Sequence, residues 1–243
     1  MAKIKVSSFG AYLISWTIKG REVLYQGSEL KRTGIPLLFP NFDYGPPLPS
    51  HGFGRVSEWK NIKVSEDSCH LQLTENNINP EYRQIYPHKF IVDLKLKAIN
   101  NQLNYSLEVQ NLGDVDMPIS PGLHPYWPIE HSQKSSIKLI NFPQFNPLLA
   151  DWNVNPPNDL YNFKNEFIAL FPEYKLVIRE ITNADIKYFN YLQIWSQNEN
   201  FPDRNFVCFE PVTRPKNGIN DNPLQVKPGS TIRLNLQFEI IFH

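Results

Sequence analysis

Cysteine is nearly missing from this chain: two residues in 243, Cys69 and Cys208, far apart and outside any metal-type spacing. Neither a disulfide framework nor a zinc site is expected from them, and a reducing compartment fits best. An excess of one charge sign is also missing. Lys plus Arg and Asp plus Glu each total 24, so the net charge is zero, which removes the electrostatic footprint of a nucleic-acid or anionic-membrane binder. Long apolar runs do not occur either. The opening "MAKIKVSSFGAYLISWTIKG" alternates apolar with polar residues instead of building a signal segment, and no stretch approaches a transmembrane helix in length. These features read as a cytoplasmic protein. Asn104-Tyr105-Ser106 matches a glycosylation acceptor but lies inside a strand pattern with no secretory signal. Helical spacing is scarce as well, because 21 prolines interrupt most longer windows.

What is abundant is alternation with period two. In "KFIVDLKLKAI", Phe90, Val92, Leu94, Leu96 and Ala98 share one face and Asp93, Lys95 and Lys97 the other, as in a half-buried strand. "LNYSLEVQN" repeats the pattern after an Asn100-Asn101 turn, which predicts an antiparallel hairpin. "TIRLNLQFEIIF" sets Ile232, Leu234, Leu236, Phe238 and Ile240 against polar neighbours. With 41% hydrophobic and 13% aromatic residues the chain can bury a large core. The expectation is all-β: a large antiparallel β-sandwich, residues 1–243 forming a single domain, with chemistry on loops and strand ends.

Three segments carry unusual chemistry. "PSHGFGR" presents His51 and Arg55 around Gly52 and Gly54, which permit a tight loop; a solvated turn is the plain alternative. "PGLHPYW" fixes His124 ahead of Pro125, which biases it to an extended backbone; a structural histidine bonded to a carbonyl is the plain alternative here. "NFVCFEPVT" places Glu210 on one strand face with Phe206 and Cys208, in an otherwise apolar strand. A carboxylate there must be paired, hydrogen-bonded or shifted in pKa, so it is either a catalytic base or half of a buried ion pair with an arginine such as Arg214.

In order and spacing, "GAYLISWTIKGREVLYQG", "RTGIPLLFP", "HGFGR", "GLHPYW" and "CFEPVT" resemble the aldose 1-epimerase (galactose mutarotase-like) family. The resemblance implies a β-supersandwich and interconversion of anomers at C1 of a hexose, with His124 as general acid and Glu210 as general base and no cofactor or metal. Opening a cyclic hemiacetal needs one proton removed from the C1 hydroxyl and one delivered to the ring oxygen, so one base and one acid suffice. His124 is then expected protonated, its pKa raised by a neighbouring carboxylate, and Glu210 ionised with its pKa pushed up by apolar enclosure. His51 and Arg55 would hold sugar hydroxyls, and Trp195 in "LQIWSQ" would stack on a pyranose face unless it belongs to the core.

"RTGIPLLFP" further resembles the hexose-6-phosphate 1-epimerase branch, which implies that Arg32 joins Arg55 in holding a phosphate; a planar guanidinium can bind two of its oxygens at once. The branch has Gly where this chain has Thr33. Its Asp-x-Val/Ile-Tyr segment appears as "NDLY" at 158–161, which puts Asn158 in the place of a carboxylate unless the register slips to Asp159, the residue expected here to bind substrate. The expected partner is a sugar or sugar phosphate, with no nucleic acid and no membrane; monomer and homodimer are both open. Other readings are a non-catalytic carbohydrate-binding sandwich or sugar sensor, and a metal-dependent hydrolase or dioxygenase built on His51, His124 and Glu210.

Overall fold

In a computed structural model that describes residues 1–181 and 186–243, the alternating segments become one eight-stranded antiparallel sheet. Its order is Lys138–Leu139, Glu166–Leu170, Tyr174–Glu180, Thr231–Phe242, Gln102–Asn111, Phe90–Ile99, Ser68–Thr74 and Lys60–Val64. The period-two reading holds residue by residue: Phe90, Val92, Leu94, Leu96 and Ala98 are buried, and so are Leu103, Tyr105, Leu107 and Val109. Ile99 pairs with Gln102 across the Asn100-Asn101 turn, where Asn100 takes φ +55°, a conformation asparagine tolerates well.

A second antiparallel sheet faces the first. It runs Asn158–Asn162, Tyr191–Trp195, Phe206–Val212, Gly122–Leu123 and Leu37–Leu38, with Tyr126–Pro128 also paired to Phe206–Val212. Inner-face side chains of the two sheets meet directly: the Phe167 and Phe209 rings lie 4.7 Å apart, and Trp127 and Phe238 lie 5.8 Å apart. One apolar cluster takes in Leu192, Ile194, Val207 and Phe209 from the second sheet and Phe167, Ile178, Leu236 and Phe238 from the first. This is the expected large antiparallel sandwich. Among the described residues helix is confined to short pieces such as Pro80–Ile85 and Gly218–Asp221. Among the described residues no helix is long and apolar enough to cross a membrane. Both cysteines are free and buried.

The second sheet positions the site. Its central strand Phe206–Val212 is buried at all seven positions, so its outer face must be covered too. Loops 27–33 and 42–55 lie on that side of the sheet, and a cleft remains between them and the strands.

Candidate active site

Cross-strand pairing decides which side chains reach the cleft. Tyr126 and Trp195 both lie opposite Cys208, Gln193 lies opposite Glu210, and Asn158 lies opposite Trp195. Directly opposed residues project from the same face of a sheet. Residues 126, 158, 193, 195, 208 and 210 therefore point outward, while Ile194, Val207 and Phe209 point into the core. The cleft holds about 300 Å³ and is lined by Lys31, Arg32, Phe42, Asp43, His51, Arg55, His124, Tyr126, Asn158, Gln193, Trp195 and Glu210, at the lower end of the roughly 300–1,000 Å³ usual for small-molecule sites. A cavity of about 400 Å³ elsewhere is lined by Arg21, Tyr25, Glu173 and Phe242 among others. Arg21 and Glu173 are paired to each other there, and no acid/base couple converges on it.

At the cleft floor His124 Nε2 stands 3.4 Å from Glu210 Oε1, with the two residues 8% and 1% exposed. His124 is held from three directions. Its backbone N–H donates to Pro36 O at 3.0 Å, its ring stacks on Tyr126 at 4.7 Å and 11°, and the Trp195 and His51 rings meet it edge-on at 5.4 and 5.7 Å. The alternative of an ion pair between Glu210 and Arg214 is not what the fold builds. Arg214 donates to the carbonyls of Asn222 and Thr213 instead.

One of the two pKa shifts runs against the sequence expectation. Burial pushes Glu210 well above the usual carboxylate range, Asp43 adding to the effect and Arg55 opposing it, as expected. Burial also drives His124 well below 6.5, helped by neighbouring His51 and Arg55, where a rise was expected. Removal from water disfavours the charged form of each group. Neutral imidazole beside carboxylic acid and imidazolium beside carboxylate hold the same single proton, so the pair can serve as an acid/base couple in either form.

His51 has φ +65°, a left-handed backbone uncommon outside glycine. A reciprocal pair holds it there: its N–H donates to Asp43 O at 2.9 Å, and the Asp43 N–H donates to His51 Nδ1 at 3.0 Å. With Nδ1 accepting, Nε2 carries the proton and is a donor. Burial and Arg55 lower the His51 pKa to about 4, so it stays neutral near pH 7. Gly52 follows at φ +72°, where a Cβ would lie 2.1 Å from Phe39 O; only glycine fits.

Arg32, Arg55, His51, His124, Trp195 and Glu210 thus meet in one cleft. Asp159 does not join them. It sits opposite Ile194, on the strand face turned from the cleft, because a one-residue slip reverses every side chain. Asn158 takes the cleft position, its Oδ1 accepting from Gln193 Nε2 at 2.9 Å. Sequence reading missed Lys31, Phe42, Asp43, Tyr126 and Gln193. Two of these carried a signal: Gln193 lies two residues from Trp195 on the same strand face, and Tyr126 follows His124 directly after Pro125. The metal reading also changes membership. The trio whose donor atoms lie within 4.8 Å of one another is His124, Cys208 and Glu210.

Comparison with known proteins adds what geometry alone does not. A search of curated protein sequences found no match. Among solved structures, a protein of Synechocystis sp. PCC 6803 superposes with a TM-score of 0.82 at 20% identity, covering 100% of this chain and 92% of that one. A galactose mutarotase related enzyme from Lactobacillus acidophilus gives 0.78 at 20% identity, covering 100% and 95%. Galactose 1-epimerase from Lactobacillus acidophilus NCFM gives 0.67 at 13% identity, covering 99% and 91%. At such identities these likenesses establish the fold. The family model for aldose 1-epimerase matches residues 1–156, well over half of the chain, and the protein belongs to the aldose 1-epimerase family.

Proposed function

We propose that this protein interconverts the α and β anomers of a hexose, with preference for a hexose 6-phosphate, through acid/base exchange between Glu210 and His124. The observation that carries the reading is the buried pair at 3.4 Å on the cleft floor. In the ring-opening step one member takes the proton from the C1 hydroxyl, the C1–O5 bond breaks, and the other member gives a proton to O5. Rotation about C1–C2 and the reverse transfers close the ring on its other face. The couple ends with the one proton it began with, so no redox partner, metal or organic cofactor enters the balance. Since the reaction runs in both directions, each group serves as acid in one and base in the other.

Substrate preference follows from charge. Lys31, Arg32 and Arg55 face the cleft against Asp43 and Glu210, and Lys31 Nζ also lies 2.8 Å from Glu29 Oε2. Asp43 also has Lys216 Nζ 3.8 Å away. The balance is cationic and suits an anionic substituent, for which a guanidinium fork is well shaped. Trp195, half-buried beside His124, offers its face to the pyranose.

Saturation-transfer NMR at C1, or polarimetry, with α-glucose, α-galactose and glucose 6-phosphate tests the reading. Wild type should accelerate anomer exchange, most of all for glucose 6-phosphate, and Glu210→Gln should not. Sugar binding without acceleration would replace the enzyme with a non-catalytic sugar-binding sandwich.

A further inference from the structure

Asp203 is a carboxylate only 7% exposed, outside the cleft and unused by the chemistry above. It accepts from the Tyr25 hydroxyl at 3.1 Å, from the Ser28 N–H at 3.2 Å and from the Ser28 hydroxyl at 2.5 Å. Although burial opposes ionisation, the Ser28 and Tyr25 bonds and the field of Arg32 leave its pKa below the ordinary carboxylate value. It is thus a fixed anion with three donors, one on Tyr25 just before loop 27–33 and two on Ser28 at its start.

That loop carries Lys31 and Arg32 into the cleft, and its neck is closed. The Gly27 N–H donates to Thr33 Oγ1 at 3.1 Å, and a Cβ on Gly27 would lie 2.4 Å from Arg32 O. The base is stitched to the catalytic segment: the Tyr126 N–H donates to Gly34 O and the His124 N–H to Pro36 O. The tip has two supports. The Tyr126 hydroxyl donates to Lys31 O at 3.1 Å, and the Arg32 guanidinium lies 5.9 Å from the centroid of Phe201, on the same 198–205 connection that carries Asp203. One short connection therefore grips the cation loop at its shoulder through Asp203 and touches its tip through Phe201.

We propose that Asp203 is a positioning residue for Arg32, and that by fixing loop 27–33 over the cleft it sets the preference for anionic over neutral sugars. The inference rests on the phosphate-holding role given to Arg32 above. A guanidinium on a long side chain binds a dianion well only if its base is already held; otherwise binding must also order the loop. Asp203 touches neither the sugar ring nor the His124–Glu210 pair, so its loss should weaken capture of the phosphate and spare proton transfer.

The test measures kcat and KM for anomer exchange of glucose 6-phosphate and of glucose. Asp203→Ala should raise KM for glucose 6-phosphate on the order of tenfold, the value of one lost charge-assisted bond, with kcat nearly unchanged and both constants for glucose within about twofold. Asp203→Asn keeps an acceptor for Ser28 and should recover much of the loss. Tyr25→Phe, which removes one of the three bonds, should give a smaller change of the same kind and serves if the alanine variant folds poorly. In an Arg32→Ala background, Asp203→Ala should add nothing further. Equal losses on glucose and glucose 6-phosphate, or full additivity with Arg32→Ala, would overturn the inference and leave the epimerase reading intact. A wild type that accelerates neither sugar would remove that reading, and this inference with it.

Discussion

Glu210→Gln should produce an enzyme that is more stable and almost inactive. Glutamine matches glutamate in shape, so packing around a side chain 1% exposed is kept and only proton exchange is lost. A positioned acid or base contributes about 10²–10⁴-fold, which converts to roughly 3–5 kcal/mol of barrier. The stability gain comes from linkage. Burial raises the folded-state pKa of Glu210 above its ordinary 4.5, so between those two values the folded chain holds a proton that the unfolded chain releases. Folded proteins with more bound protons lose stability as pH rises. The wild-type penalty is absent below about pH 4.5 and grows by about 1.4 kcal/mol per pH unit until the raised value is passed. Glutamine cannot ionise and carries no such penalty. Urea unfolding of both proteins at pH 5, 6 and 7, with anomer exchange measured alongside, provides the assay. The variant's advantage should widen with pH while its activity stays near background. An equal or less stable variant across this range, or one retaining more than about a tenth of wild-type activity, would refute the assignment of a desolvated, proton-exchanging Glu210.

The same electrostatics predict the pH profile of wild-type kcat/KM: an acid limb with its midpoint below 6.5, from His124, and an alkaline limb far above 4.5, from Glu210; an acid midpoint at or above 6.5 would contradict the burial argument. Gly52→Ala should cost more than about 2 kcal/mol in urea unfolding, because its methyl would lie 2.1 Å from Phe39 O at φ +72°, and a change under about 0.5 kcal/mol would show that the loop can shift. Lys134 is fully buried and, among the described residues, has no carboxylate partner; it donates to Ser196 Oγ, Gln197 O and His131 Nδ1, and burial lowers its pKa to about 8. Between that value and 10.5 the unfolded chain binds the extra proton, so its contribution to stability rises with pH there; Lys134→Met should flatten this part of the stability–pH curve, and an unchanged slope would argue against a depressed amine.

How much of this could be read from the sequence depended on which faces were wet. Strands Phe90–Ile99, Gln102–Asn111 and Thr231–Phe242 have one solvated face, so their alternation was visible in the residue types themselves. Phe206–Val212 is covered on both faces and shows no alternation, yet this made Glu210 conspicuous, as one carboxylate in an apolar run. The choice between Asn158 and Asp159 was not visible in composition, because the two are adjacent and similar; the pairing of Asn158 with Trp195 decides it. The sign of the His124 shift was also out of reach. A sequence suggests that a carboxylate is near, but not that both partners are dry and that Arg55 stands beside them. Contacts such as Ser28 with Asp203, 175 residues apart, leave no local trace at all.

The proposed division of labour in the cleft follows from what each kind of element can hold still. Glu210, Gln193 and Trp195 stand on paired strands whose neighbours fix them from both sides, and His124 is tied to Pro36 and stacked on Tyr126. Proton transfer tolerates errors of only a fraction of an ångström, so it belongs on such elements. Arg32, Lys31 and His51 stand on loops, where a charge or a fixed donor can be placed with less accuracy because its reach is longer. Changes in the loops should therefore appear mainly in KM and in the ratio between sugars, and changes on the strand faces mainly in kcat. Tyr126 belongs to both groups, since its ring supports His124 while its hydroxyl holds Lys31 O. Tyr126→Phe, which keeps the ring and removes the hydroxyl, should move KM for glucose 6-phosphate and leave kcat close to wild type; a fall in kcat of equal size for glucose would show that loop and catalytic pair are not separable.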